Sequence, residues 1–147
     1  MKVDRMASRD EFNAQDFQAL AEFRYNIRRF MRASEEILRP AGLKPQQYQL
    51  MLHIKGLPAG RYATIGEIAE RLQIQHHSTV ELVDRMSARG LIRRKRMSED
   101  RRQVMLELTP KGERIIRDLA QLHREELKNS GPALVGALRK VISGVQR

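Results

Sequence analysis

The chain has no cysteine in its 147 residues. That excludes a disulfide framework, a thiolate nucleophile and a Cys-ligated metal centre, and it fits a cytoplasmic protein. Tryptophan is absent and aromatics make up only 5%. No apolar run approaches the ~18–20 residues of a membrane span. The segment from Met1 to Glu11 mixes Lys2, Asp4, Arg5, Arg9, Asp10 and Glu11 and has no apolar core, so it does not read as a signal peptide. Internal repeats and low-complexity segments are missing. So are the P-loop, G-x-G-x-x-G and G-x-S-x-G patterns, and no enzyme role is expected. The histidines His53, His76, His77 and His123 do not suggest zinc. His76 and His77 would point about 100° apart on a helix, and no clear carboxylate partner joins the other two. No metal or cofactor is expected.

What the chain does have is positive charge. Lys and Arg number 28 against 18 Asp and Glu, a net charge of +10. An excess of this size favours a polyanionic partner, nucleic acid or an anionic membrane surface. Its placement separates the two. Arg85, Arg89, Arg93, Arg94, Lys95, Arg96, Arg101 and Arg102 face only Glu99 and Asp100 within one short stretch, so most of the excess is local. A membrane-binding surface would carry these charges on an amphipathic helix. Here they fall mainly on strands and a loop.

Apolar periodicity places the elements. Phe17, Leu20, Ile27, Met31 and Leu38, widened by Phe23 and Phe30, follow helical spacing from about Asp16 to Leu38. Pro40-Ala41-Gly42 ends that helix, and Pro45 starts a second with Tyr48, Leu50, Met51, Leu52 and Ile54. Thr64-Ile65-Gly66-Glu67 has the form of a capping box opening a short helix that buries Ile65, Ile68, Ala69 and Leu72. A fourth helix follows a turn after Ile74, buries Val80, Leu82, Val83 and Met86, and ends at Gly90. Its cap is either Gln75 or Ser78. Gln75 is favoured, because a DNA-reading helix follows its predecessor after only 3–4 residues.

Leu91–Met97 and Val104–Thr109 read as the strands of a hairpin whose tip is Ser98-Glu99-Asp100-Arg101-Arg102-Gln103. Thr109 caps a long helix with Pro110 in its first turn. Ile115, Ile116, Leu119 and Leu122 are expected inward. Asn129-Ser130-Gly131-Pro132 is expected to break this helix near Lys128. A last helix, from Ala133 to about Val145, carries Leu134, Leu138, Val141 and Val145.

Two helices followed by a basic hairpin point to DNA. The major groove admits one helix and presents a distinct donor and acceptor pattern for each base pair. On the fourth helix the residues off the buried face include His76, His77, Ser78, Glu81, Asp84, Arg85 and Arg89. The first three sit where base edges or phosphates would be met, Glu81 can accept from a cytosine amine, and Arg85 and Arg89 suit phosphates. At the hairpin tip, Arg101 and Arg102 suit a narrow minor groove, with Asp100 able to hold one of them. Arg93 to Arg96 alternate around a strand, so only some, among them Arg94 and Arg96, face DNA.

The segments Thr64–Leu72, Ser78–Met86, Arg89-Gly90-Leu91-Ile92, Asp100-Arg101-Arg102 and Leu108-Thr109-Pro110-Lys111-Gly112 resemble the MarR family of bacterial transcription regulators. The resemblance covers nearly the whole chain and is most specific in the middle. It implies a mainly α fold with a small β-hairpin wing, in the order α-α-(β)-α-α-β-β-α-α. Residues 1–147 then form a single domain, with a DNA-binding winged helix over about 45–109 and dimerisation helices over about 14–40 and 110–146. It also implies a homodimer on double-stranded DNA and a small aromatic effector that releases it. By the same analogy, Arg24, Tyr25, Tyr48 and His53 are candidates for the effector site. Met86-Ser87 departs from the family's usual Leu-Glu, and the lack of cysteine rules out its thiol-based peroxide sensing.

The resulting expectation is a ligand-responsive repressor that reads a pseudo-palindromic operator. The alternatives are a non-specific nucleic-acid binder and a helical interaction module for an acidic protein. Dimerisation has support of its own, because the terminal helices offer more apolar stripe than the compact middle can cover.

Overall fold

A computed structural model describes residues 12–97 and 103–144. Helix α1 spans Ala14–Leu38 and passes through a 3₁₀ turn at Arg39–Ala41 into α2, Pro45–Lys55. Gly42 closes the turn at φ 67°, a left-handed conformation that glycine adopts without Cβ strain. Helices α3 (Ile65–Leu72) and α4 (His76–Ala88) form the helix-turn-helix, strands β1 (Ile92–Arg96) and β2 (Val104–Leu108) the hairpin, and α5 runs over Pro110–Ser143.

The chain divides into two compact units, one of Met1–Ser34 with Arg124–Arg147 and one of Glu35–His123. The second holds the main core. Leu43, Tyr48, Leu50, Met51, Ile68, Leu82, Val83, Met86, Leu91, Ile92, Leu106 and Leu108 are buried together with Leu38 from the end of α1 and Ile116 and Leu119 from the start of α5. The core of the winged helix thus draws on both long helices, beyond the 45–109 span expected for it. In the first unit Ala19 and Ala137 are buried. Phe12, Phe17, Leu20, Met31, Val135, Leu138 and Ile142 are exposed there, and Phe17, Leu20, Met31 and Leu138 belong to the apolar stripes of the terminal helices.

The largest difference from expectation lies in α5. No break occurs at Asn129–Pro132; one helix of 34 residues carries Pro132 in its interior. A proline disfavours the α region for its predecessor because its Cδ clashes with that residue's Cβ and N–H. Gly131 has no Cβ, so that part of the clash is absent. The Ser130 hydroxyl also donates to the Glu126 carbonyl at 3.0 Å, inside the same turn. Val145 lies outside the described residues. A second difference is one of phase: His123 is buried where Leu122 was expected, and Leu122 is exposed.

Local chemistry explains the other boundaries. Thr64 Oγ1 accepts from the Glu67 amide at 3.2 Å, so α3 is capped as its sequence implies. The reciprocal half of the box does not form, because the Glu67 carboxylate faces Arg61 and Arg71, at 3.2 and 3.5 Å. At α2 the Gln47 side chain accepts from the Lys44 amide, a half-box that the sequence reading overlooked. Helix α4 begins at His76 with Gln75 as its cap, the earlier of the two starts. It closes on Gly90 at φ 72°, with Gly90 and Leu91 amides donating to the Ser87 and Met86 carbonyls. In the same helix Thr79 is fully buried and Val80 only partly, a reversal made possible by the Thr79 hydroxyl donating to the Gln75 carbonyl at 3.0 Å. Among the described residues no helix is long and apolar enough to cross a membrane.

Candidate nucleic-acid interface

The hairpin register pairs Ile92 with Leu108, Arg94 with Leu106 and Arg96 with Val104. Residues facing each other across an antiparallel pair share a face. Ile92, Arg94 and Arg96 therefore lie on the face of buried Leu106 and Leu108, while Arg93 and Lys95 share the opposite face with Glu107 and Met105. The four consecutive cations split as the alternation requires. Their partners then separate them further. Arg93 Nε donates to Glu107 across the strands at 2.5 Å. Arg94 Nη2 donates to Asp84 of α4 at 2.6 Å. The side chains of Lys95 and Arg96 have no hydrogen bond or ion pair among the described residues.

On α4 the residues His76, His77, Glu81, Asp84, Arg85, Ala88 and Arg89 are exposed, and Ser78 is half-buried. His77, Glu81 and Ala88, with Asp84 and Arg85 between, recur every three or four residues and form one solvent-facing stripe. Arg85 is without a partner among the described residues. Arg89 is differently employed: its guanidinium donates to the Gly42 carbonyl at 2.9 Å and to the Ala41 carbonyl at 3.4 Å. These are orphan acceptors at the end of a helical turn, so Arg89 ties the end of α4 to the α1–α2 junction. Asp100, Arg101 and Arg102, the expected wing tip, lie outside the described residues.

The base of the hairpin is held by main chain. Leu106 N–H donates to the Ala63 carbonyl at 2.8 Å, at the place where a third strand could pair; the described sheet has two strands. Thr109 Oγ1 donates to the Gly90 carbonyl at 2.6 Å and accepts from the Gly112 amide at 3.0 Å. It caps α5 as expected and also fastens that helix to the end of α4.

Of the residues expected around an effector, Arg24 and Tyr25 belong to the first unit and Tyr48 and His53 to the second. Tyr25 borders a cavity of about 890 Å³ in the first unit, with Gln18, Glu22 and Lys140, and its ring carries the Arg29 guanidinium at 5.7 Å. Arg24, Tyr48 and His53 do not line that cavity. Tyr48 is a core residue: it is buried and stacks on His123, centroids 4.2 Å apart and 10° from parallel, while His123 Nδ1 lies 2.7 Å from the Leu119 carbonyl. Burial raises the Tyr48 pKa above its ordinary value. Periodicity could not reveal this stack, because it joins residues 75 positions apart. Lys95, Arg61 and Arg71 are further exposed cations that the sequence reading did not single out, the last two sharing Glu67.

The sequence pattern of the MarR family matches residues 41–103, the segment containing α2, the helix-turn-helix and β1. Over this segment the chain is similar to the MarR family. An uncharacterized HTH-type transcriptional regulator from Bacillus subtilis strain 168, YsmB, is 36% identical over 66 residues, which span 45% of this chain and 45% of that relative. The chain thus matches less than half the length of this curated relative. Among solved structures, AbsC, a MarR family transcriptional regulator from Streptomyces coelicolor, is similar at a TM-score of 0.70 and 20% identity, covering 80% of this chain and 79% of that one. A mutant of MepR from S. aureus, bound to an oligodeoxyribonucleotide, is similar at 0.64 and 17% identity, over 84% and 95%. These two likenesses establish a MarR-type winged-helix fold.

Proposed function

We propose that this protein is a MarR-family regulator, a sequence-specific DNA-binding transcriptional regulator and not an enzyme, acting in the cytoplasm as a homodimeric, ligand-responsive repressor on a pseudo-palindromic operator. The observation that carries the reading is the exposed α4 stripe of His77, Glu81 and Arg85 beside a hairpin whose Lys95 and Arg96 are unpaired among the described residues. A helix in the major groove reads bases while flanking cations grip phosphates. Glu81 favours specific over non-specific binding. A surface built only to attract phosphate gains nothing from a carboxylate at its centre, whereas a carboxylate can accept from the cytosine amine.

The homodimer is supported by the apolar residues left exposed in the first unit, and a two-fold pair of α4 helices would span half-sites ~34–36 Å apart. The effector response is assigned to the cavity at Tyr25, the one candidate that borders it. Selection from a randomised DNA pool tests the central reading. Wild type should enrich one two-fold motif, and Glu81→Ala should relax it at a defined position. Enrichment of no motif by wild type would leave the non-specific alternative standing.

A further inference from the structure

The Asp84–Arg94 pair joins the recognition helix to the wing strand, and its placement is unusual for a DNA-facing surface. Asp84 belongs to the exposed stripe of α4, where a carboxylate repels phosphate. Its partner Arg94 is one of the cations expected on DNA. The pair is in contact at 2.6 Å, with side chains 59% and 38% exposed. On β1 the helix-side face carries Ile92, which is buried, and then Arg94 and Arg96, which are exposed. Apolar packing therefore fastens the base of this strand, and charge fastens its outer half.

Resting on the DNA-binding reading above, we propose that Asp84 is a positioning residue for DNA recognition. By holding Arg94 it sets strand β1 against α4, so that the hairpin strands and the recognition helix meet DNA in one fixed geometry. Arg94 then acts as a brace rather than as a phosphate contact. The pair is electrically neutral as a unit, so it adds little to the attraction for DNA. Its contribution is orientational: a wing already in place loses less freedom on binding.

The two roles for Arg94 differ in salt dependence. Each phosphate contact contributes ~0.9 to the slope of log affinity against log salt. If Arg94 is a brace, Asp84→Asn and Arg94→Gln each weaken binding by up to about fivefold, the limit an exposed pair sets, and neither alters the slope. The double variant is no weaker than either single one, and Asp84→Arg combined with Arg94→Asp restores affinity. Amide exchange of Lys95, Arg96, Val104 and Met105, measured without DNA, quickens in both single variants while the melting temperature stays unchanged. A shallower slope for Arg94→Gln together with tighter binding by Asp84→Asn would overturn the proposal, making Arg94 a plain phosphate contact. Unchanged hairpin exchange in both variants would overturn it as well. That measurement decides the matter even if wild type binds no DNA, so loss of the functional reading and loss of the brace are told apart.

Discussion

A Cβ on Gly112 would strike the carbonyl oxygen of Leu91. That oxygen also accepts the Thr109 amide at 3.1 Å, so α5 starts with its first turn pressed against the end of the α4–β1 connection. The obstacle is backbone, and backbone cannot rotate away as a side chain can. Gly112→Ala should destabilise the fold by roughly 1–3 kcal/mol or more. Denaturant titration checks this, and a variant as stable as wild type would show that the approach of α5 to Leu91 is not tight.

Ser87 offers the opposite case. Its hydroxyl oxygen is buried and has no hydrogen-bond partner among the described residues. Ser87→Ala removes an unsatisfied group and installs a better helix former, so stability should rise by about 0.5–1 kcal/mol. A fall on urea unfolding would mean that the hydroxyl is satisfied after all.

Tyr48 makes stability depend on alkaline pH. Its raised pKa means that the folded protein favours the neutral phenol more than the unfolded chain does. The corresponding stability is fully present below about pH 10 and is lost as pH rises through the folded-state value. Tyr48→Phe has no phenol to ionise. Thermal melts from pH 8 to 12 should show wild type falling more steeply than Tyr48→Phe above pH 10. Parallel curves would rule out a buried, stacked phenol.

Two arginines that look alike in the sequence should behave differently. Arg96→Gln should weaken binding to all DNA sequences and reduce the salt slope by ~0.9, because it removes a phosphate contact. Arg89→Gln should lower stability by about 1 kcal/mol through the lost carbonyl contacts and leave the slope as it is. Fluorescence anisotropy across a salt series, with melts alongside, separates them; identical slope changes would mean that Arg89 also reaches phosphate.

Ile142 is 75% exposed on the first unit, so a charge there costs the isolated protomer little. In a homodimer it should be costly. Sedimentation of Ile142→Glu is expected to give a folded monomer at concentrations where wild type is dimeric, with operator affinity reduced by at least tenfold, about 1.4 kcal/mol. A wild-type monomer that binds a palindrome tightly would remove the symmetry argument.

Much of the winged-helix unit is legible in the sequence because its signals are local. A hydroxyl at Thr64 or Thr109, a glycine at Gly42 or Gly90 and the two-residue alternation through Val104–Leu108 each act within a few residues of themselves. Periods of 3.6 and 2 then sort the buried from the exposed. The sequence by itself determined the order of the elements as far as α5 and the concentration of cations around the hairpin; it left two starts for α4, of which the structure has the earlier.

Tertiary structure decided what those residues do. Arg85, Arg89, Arg94 and Arg96 are one residue type in one short stretch. Only the fold lays the Gly42 carbonyl beside Arg89 and Asp84 beside Arg94, leaving Arg85 and Arg96 unpaired among the described residues. Gly131-Pro132 carries the local mark of a helix break, yet α5 continues through it, with no Cβ on Gly131 for the following proline to strike. The Tyr48–His123 stack depends on α2 meeting α5, which no local pattern encodes. Local preference sets where elements start and stop; long-range packing and the search of each buried polar group for a partner set which side chains remain free to act.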